Sequence, residues 1–419
     1  MPRSRGVTWP LAIRSSSVRS RSLGVLLLAV VACGSASPSA KTETPQASGA
    51  RIAATPSSAT ITTAPPVTGP FLAMVASSQG QQTVSLVDRD GHVVASTTSP
   101  IPDLEPVPFP GTATARLTGG PYGVGGICCG VGLPEVSTTD RRVYFVSGQD
   151  QLLYLGADGS TGRAAQLPNV KGRSQAVFAV SPDDTRVAMA VFDWSQRPMK
   201  VTIYVEDLGG GNRVAIFSST SAYEWPVAWH SGSLIVAVCC VLGGAPNPFG
   251  AVNYHVASAS NGLRQAQLGS SDCPVIGSLV DGGTACNSVC TGGDVHNVPA
   301  GAQVCVNAVD WSGKRRVLYR YLDSNGIGTW AALAPDGNAV ALQENGPPRG
   351  QYVVRADGSR VNLPATDTPV VWWLDGNTVW LYGLPAQGIN AALYRIDSDQ
   401  LIPLADSLGF VQGVVPGLS

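Results

Sequence analysis

Residues 333–342 read LAPDGNAVAL, an apolar run, a Pro-Asp-Gly turn and a second apolar run. Asp and Gly tolerate the positive φ that a tight connection between right-twisted antiparallel strands demands, so the stretch predicts a β-hairpin. Variants recur from residue 71 onward. One kind of turn lies at Thr139-Asp140, Pro182-Asp183-Asp184, His230-Ser231-Gly232, Val280-Asp281-Gly282, Pro335-Asp336-Gly337 and Leu374-Asp375-Gly376. A second kind alternates with it, as at Asp158-Gly159, Trp311-Ser312-Gly313 and Asp357-Gly358. With the strands of one unit named A to D, the first kind joins A to B and the second joins C to D.

Successive A–B turns lie 39 to 55 residues apart, which is room for four short strands and their loops. That is the length of one β-propeller blade. There are six A–B turns but seven C–D turns, and the imbalance is informative. The first unit starts directly with a B strand (residues 71–76, FLAMVA), while the C-terminus holds an unmatched apolar segment (residues 409–416, GFVQGVVP). The economical reading is an all-β, seven-bladed propeller over residues 70–419, its ring closed by the C-terminal strand completing the first blade, which leaves no sheet edge open. A capping tail is the alternative for that segment. A pair of β-sandwiches is the alternative fold, although it predicts no blade-length period.

The Ser181-Pro182-Asp183-Asp184 and Ala334-Pro335-Asp336-Gly337 turns, with their flanking strands, resemble the TolB-like or WD40-like propeller repeats of bacterial envelope proteins. The likeness covers residues 70–419 and rests on short turn motifs. It implies the fold and leaves the subfamily open, because no blade carries the Gly-His and Trp-Asp pair of true WD40 repeats.

The N-terminus carries Arg3, Arg5, Arg14, Arg19 and Arg21 with no acidic residue, then the apolar run LGVLLLAVVA at residues 23–32 and Cys33. A basic start followed by a short apolar run is a secretion signal, and ten residues fall well short of the roughly 20 that cross a bilayer. Val30-Val31-Ala32-Cys33-Gly34 resembles a bacterial lipobox, so Cys33 is the expected lipidation site and residues 1–32 the lipoprotein signal peptide. An ordinary signal peptide with an incidental Cys is the alternative. Residues 33–69, rich in Ser, Thr, Pro and Ala, hold nothing that could build a core and read as a flexible tether. The expected address is extracytoplasmic, at the bacterial cell membrane through the lipid anchor. Removal of the leader would take five of the 27 basic residues and leave 22 against 28 acidic ones. With no basic tract left, nucleic acid is not an expected partner.

Eight further Cys, at 128, 129, 239, 240, 273, 286, 290 and 305, suit disulfides in an exported chain. An A–B turn centred on residues 281–282 sets Cys273 opposite Cys290, and Cys286 with Cys305 makes a second candidate pair across B and C. Buried free thiols are the alternative. For the adjacent pairs Cys128-Cys129 and Cys239-Cys240, bridging to other segments is preferred over strained vicinal bonds.

In a propeller, B–C loops and D–A connections share one face and A–B and C–D turns the other. The long insertions at residues 99–134, 242–252 and 291–302 fall on the first face, with the Cys. So do Tyr122, Trp194, Arg197, Tyr223, Glu224, Trp225 and Trp330, the candidate binding face; inter-blade packing is the alternative for any single Trp.

Chemistry is sparse. Four His, at 92, 230, 255 and 296, show no metal-site spacing, and His296 is the one in the Cys-rich insertion. No nucleophile elbow or phosphate-binding loop occurs. No catalytic residue, metal or cofactor is therefore expected. The functional expectation is a lipid-anchored, non-catalytic binding or scaffold module whose loop face contacts an envelope protein or glycan. The alternative is a propeller enzyme, a hydrolase or quinone-type dehydrogenase, acting at the channel mouth.

Overall fold

The computed structural model describes residues 68–417, apart from residues 105–106, 109–113, 118–130, 134–135, 149, 240–252, 294–297, 300, 323–329, 344–349 and 367–371. Residues 1–67, which hold the expected signal peptide, Cys33 and all but the last two residues of the expected tether, lie outside the described residues, as do Tyr122, Cys128, Cys129, Cys240 and His296.

The chain forms seven antiparallel blades. The first is assembled from both ends of the domain: Phe71–Ser78, Gln81–Val87 and Val93–Pro100 are joined by Phe410–Val415, which pairs with Phe71–Ser78. The ring is closed by the C-terminal strand, as the turn count predicts. Blades two to four each follow the A-to-D order; blade three, for example, runs Ser174–Val180, Arg186–Asp193, Lys200–Asp207 and Val214–Ser219. The LAPDGNAVAL hairpin opens blade six, with Trp330–Leu333 against Ala339–Gln343. A small extra sheet of Val107–Pro108, Thr114–Leu117 and Val131–Leu133 occupies the first insertion, which carries no repeat signal in the sequence.

Burial falls from the inside of each blade outward. Ser174–Val180 is buried almost throughout, whereas the outer strand Arg315–Leu322 is mostly exposed. A blade sandwiched between two others buries both faces of its inner strands, so these strands are continuously apolar instead of alternating. Side chains meet between blades: Phe192 and Trp225 fill the gap from blade three to four, with ring centroids 6.3 Å apart. Indole N–H groups tie neighbouring inner strands together. Trp229 donates to the Ala179 carbonyl at 2.9 Å, and Trp373 donates to the Ala332 carbonyl at 2.9 Å. Each satisfies a buried donor and locks one blade to the one before it.

Blade five departs from the plan. Its regular strands are Thr284–Val289, Gln303–Val309 and Arg315–Leu322, while its inner segment makes only isolated bridges, Val275 with Cys286 and Val280 with Gly283. Between those bridges the register slips by two residues. The slip corrects the expected Cys pairing: the bonds are Cys273–Cys286 and Cys290–Cys305, not Cys273 with Cys290 and Cys286 with Cys305. Because Cys305 faces Ser288, Cys290 reaches it diagonally across the B–C pair. In the Val275–Cys286 register Cys273 stands opposite Ser288, midway between Cys286 and Cys290, so it too bonds diagonally, to Cys286, while Cys290 goes to Cys305.

Candidate binding cavity at the channel mouth

The inner strands converge on a cavity of about 410 Å³. All seven blades contribute to it, through the C-terminal ends of the A strands and the A–B turns that follow. Its wall is largely aliphatic, with Val136, Val180, Val227 and Leu279 among the lining residues, and aromatic, with Trp229 and Trp311. Asp140, Asp281 and Asp375 are the acidic lining residues, and no Lys or Arg lines the cavity.

Each rim group is positioned by its turn. Asp375 has one carboxylate oxygen committed to the turn, accepting from the Asn377 backbone N–H at 2.8 Å. On blade three, Asp183 accepts from Ser181 and Thr185 in the same local manner. Asp140 and Asp281 differ, for among the described residues their carboxylates accept no hydrogen bond and form no ion pair. Burial, and then repulsion from Asp281 and Asp184, push the Asp140 carboxyl above its ordinary value, against the pull of Arg141.

The Trp311 indole, from the C–D turn of blade five, reaches the mouth by donating to the Asp281 carbonyl at 2.5 Å. His230 stacks on it, with ring centroids 4.7 Å apart and an interplanar angle of 20°. Burial lowers the His230 pKa, with Asp281 opposing, so the imidazole is neutral at pH 7. Two nearby cations are engaged by other groups: the Arg186 guanidinium lies 4.9 Å from the Trp229 ring, and Arg142 lies 3.8 Å from Asp184.

The expected binding face fares differently. Trp225 is wholly buried, Glu224 is 3% exposed and Tyr223 is 8% exposed, so these three are corrected from surface to interior. They begin a strand whose following residues pack against blade three, which draws Tyr223 and Trp225 into the same apolar cluster. Glu224 is held by Arg264 and lies 3.5 Å from His255 Nε2. Burial raises the Glu224 pKa and depresses that of His255 to about 4, Arg264 adding to the second shift. Trp194 is half-buried against the core, Arg197 is exposed, and Trp330 and Cys239 stand at the ends of strands, at positions where only the backbone is described. The cavity therefore opens at the opposite ends of the inner strands, on the face of short turns.

The A–B turns held the missed signal. Asp recurs in five of the six, at 140, 183–184, 281, 336 and 375, and reads in sequence as turn chemistry alone. Only packing separates the carboxylates committed to a turn from the two left free. A cluster of Asp88, Asp90 and His92 stands on an exposed C–D turn. There Asp88 caps the backbone of Asp90 and His92, and Asp90 pairs with Arg395.

No family model and no curated protein matches the chain. Solved propellers do resemble it in fold. They include an oligogalacturonate lyase from Vibrio parahaemolyticus (10% identity, 64% of this chain and 78% of that one, TM-score 0.43). A periplasmic gluconolactonase from Pseudomonas aeruginosa is another (12% identity, 82% and 97%, TM-score 0.40). A putative TolB from Agrobacterium tumefaciens is a third (14% identity, 65% and 80%, TM-score 0.27). At such identities and TM-scores the likeness carries nothing further; by its own strand pairing this chain is an all-β, seven-bladed propeller, with TolB-like and enzymatic propellers among its structural neighbours.

Proposed function

We propose that the chain is a non-catalytic binding module of the bacterial cell envelope, lipid-anchored through Cys33, whose ligand site is the central cavity at the mouth formed by the A–B turns. The ligand is part of an extracytoplasmic protein or glycan. The observation that carries this reading is the cavity itself, concave, mostly apolar, and equipped with a few free polar groups on a rigid ring. The side chains there favour binding over hydrolysis. His230 lies flat on Trp311 with no hydroxyl among the described residues bonded to it, and Ser137, a hydroxyl of the wall, accepts from the Val180 backbone N–H at 2.8 Å.

Filling the cavity tests the assignment. A Leu279→Trp variant that keeps its thermal unfolding should lose the stabilisation that envelope extract fractions give the wild-type chain in a thermal-shift screen. Equal stabilisation of both proteins would place the ligand elsewhere, and turnover of a fraction component by wild type alone would make the cavity an active site. The anchor is checked in the same cells, where Cys33→Ser should move the protein from the membrane to the soluble fraction; retention at the membrane would refute it.

A further inference from the structure

We propose that the Cys290–Cys305 bond is a thiol–disulfide exchange site, opened by an external thiolate that attacks Cys290 while Cys305 leaves beside the Arg320 guanidinium. The site lies on blade five and stands independently of the cavity.

The two disulfides of blade five are close in sequence and unlike in setting. Cys273 and Cys286 are both wholly buried, and the Asn307 side-chain amide donates to Cys273 Sγ at 3.5 Å. A bond so enclosed is inert to a thiolate in solution. In the other bond Cys305 is 3% exposed, but Cys290 is only half-buried, and Thr291, Gly292 and Gly293 directly after it are exposed. Attack is therefore directed to one sulfur of the four.

The leaving side is prepared as well. Arg320 stands directly opposite Cys305 on the outer strand Arg315–Leu322, and its Nη1 donates to Cys305 Sγ at 3.5 Å. Its neighbours on that strand are engaged elsewhere, Arg315 with Asp272 and Arg316 with the Gly337 carbonyl. A guanidinium stabilises a thiolate far more than a neutral disulfide sulfur, and a thiol of lower pKa is the better leaving group. The accessible sulfur is thus the one to be attacked, and the cation touches the one that must carry the charge.

The step needs no oxidant. The incoming thiolate forms an S–S bond to Cys290, the Cys290–Cys305 bond breaks, and its electron pair stays on Cys305 Sγ. A monothiol leaves a mixed disulfide on Cys290. With a dithiol protein, the second thiolate of the donor displaces Cys290, so two electrons pass from donor to chain and the donor ends as a disulfide. Reclosure is assisted by the strand ladder. Ser288 pairs with Cys305 and Val289 with Val304, and the Cys290 backbone N–H donates to the Gln303 carbonyl at 2.8 Å, which keeps the two sulfurs adjacent when the bond is open.

The oxidised full chain, treated at neutral pH with glutathione or with reduced thioredoxin, quenched with N-ethylmaleimide and mapped without reductant, tests the assignment. Glutathione should appear on Cys290 and maleimide on Cys305, with 273 still linked to 286; thioredoxin should leave maleimide on both 290 and 305. Opening by thioredoxin alone would uphold the site with a dithiol protein as the source of the thiolate. Arg320→Met should slow opening by about fivefold or more, and Arg320→Lys should keep most of the rate. Arg320 is exposed, so both variants should fold, and thermal unfolding checks that they do. A second readout separates charge from packing: in a Cys290→Ser chain the pH midpoint for alkylation of Cys305 should lie below that in a Cys290→Ser, Arg320→Met chain. Equal opening of both disulfides, glutathione on Cys305, or a bond closed to both thiols would overturn the proposal. So would an unchanged rate and midpoint when Arg320 is replaced by Met.

Discussion

Single residues carry the polar chemistry of this propeller, and their surroundings decide what each can do. Glu224, His255 and Arg264 sit within one blade, yet His255 is 2% exposed and its pKa is depressed to about 4 from 6.5, first by burial and then by Arg264. Folded, His255 takes a proton only near pH 4; unfolded, it takes one near pH 6.5. Between those values the unfolded chain binds more protons, so this group lowers stability as pH falls through the window, by up to about 3 kcal/mol. The pKa of Glu224, raised by burial against the pull of Arg264, works in the opposite direction as pH falls toward its ordinary 4.5, and neither cause is His255. A His255→Asn variant should therefore show a flatter decline of urea-unfolding stability from pH 6.5 to 4 than wild type. Parallel declines would mean that His255 is protonated in the folded state. Sequence could not reveal this triad, because Glu224 reads as a surface charge beside two aromatics until strand pairing buries it. The reverse holds for Trp311, whose place in a Ser-Gly turn suggests a solvent-facing ring, although it closes over the mouth of the cavity.

At the scale of the strand and hairpin the period was legible and the register only partly so. Turn chemistry is local, and Asp-Gly or Pro-Asp-Gly specifies a hairpin whatever lies beyond it, which is why six A–B hairpins could be placed from sequence. Register inside a strand also depends on bulges, and those answer to packing. In blade five, Gly283 adopts a φ of 116°, and a Cβ there would stand 1.9 Å from the Val309 carbonyl oxygen. The sharp turn it permits accompanies the two-residue slip and the observed Cys pairs. Cys290–Cys305 spans 15 residues and so removes freedom from the unfolded chain worth about 3 kcal/mol. A Cys290→Ser, Cys305→Ser double variant should unfold earlier in urea by a margin of that order. Non-reducing peptide maps of wild type should show 290 linked to 305 and 273 to 286; crossed linkages would refute the register described here.

The propeller over residues 68–417 is a ring, and a ring has one weakness that a stack of sheets lacks: it must be fastened. Here the fastening is the pairing of Phe410–Val415 with Phe71–Ser78, between segments more than three hundred residues apart. It was legible in sequence as an unmatched strand at each end, since pairing the two is the economical way to balance six A–B turns against seven C–D turns, whereas a capping tail would leave an open edge. The cavity was not legible, because it belongs to no blade and exists only when all seven inner strands meet. The closing strand serves both, for Gln412 and Val414 line the cavity while Val411 and Val415 are buried in the blade. Gly409 lets the chain enter this strand at φ 75°, with a Cβ position only 2.1 Å from the Val75 carbonyl oxygen. Removal of residues 409–419 would leave Phe71–Ser78 as an open edge flanked by buried apolar side chains, the arrangement most prone to pair with another chain. The truncated protein should lose its cooperative unfolding transition and associate, as read by light scattering. A synthetic peptide of residues 409–419 should restore a monomer, and a Gly409→Ala chain should fall between the two. A truncated chain that stays monomeric with unchanged stability would show that the ring holds without its fastening. Ligand binding should be lost with the strand and return with the peptide, because the same six residues close the disc and wall the cavity.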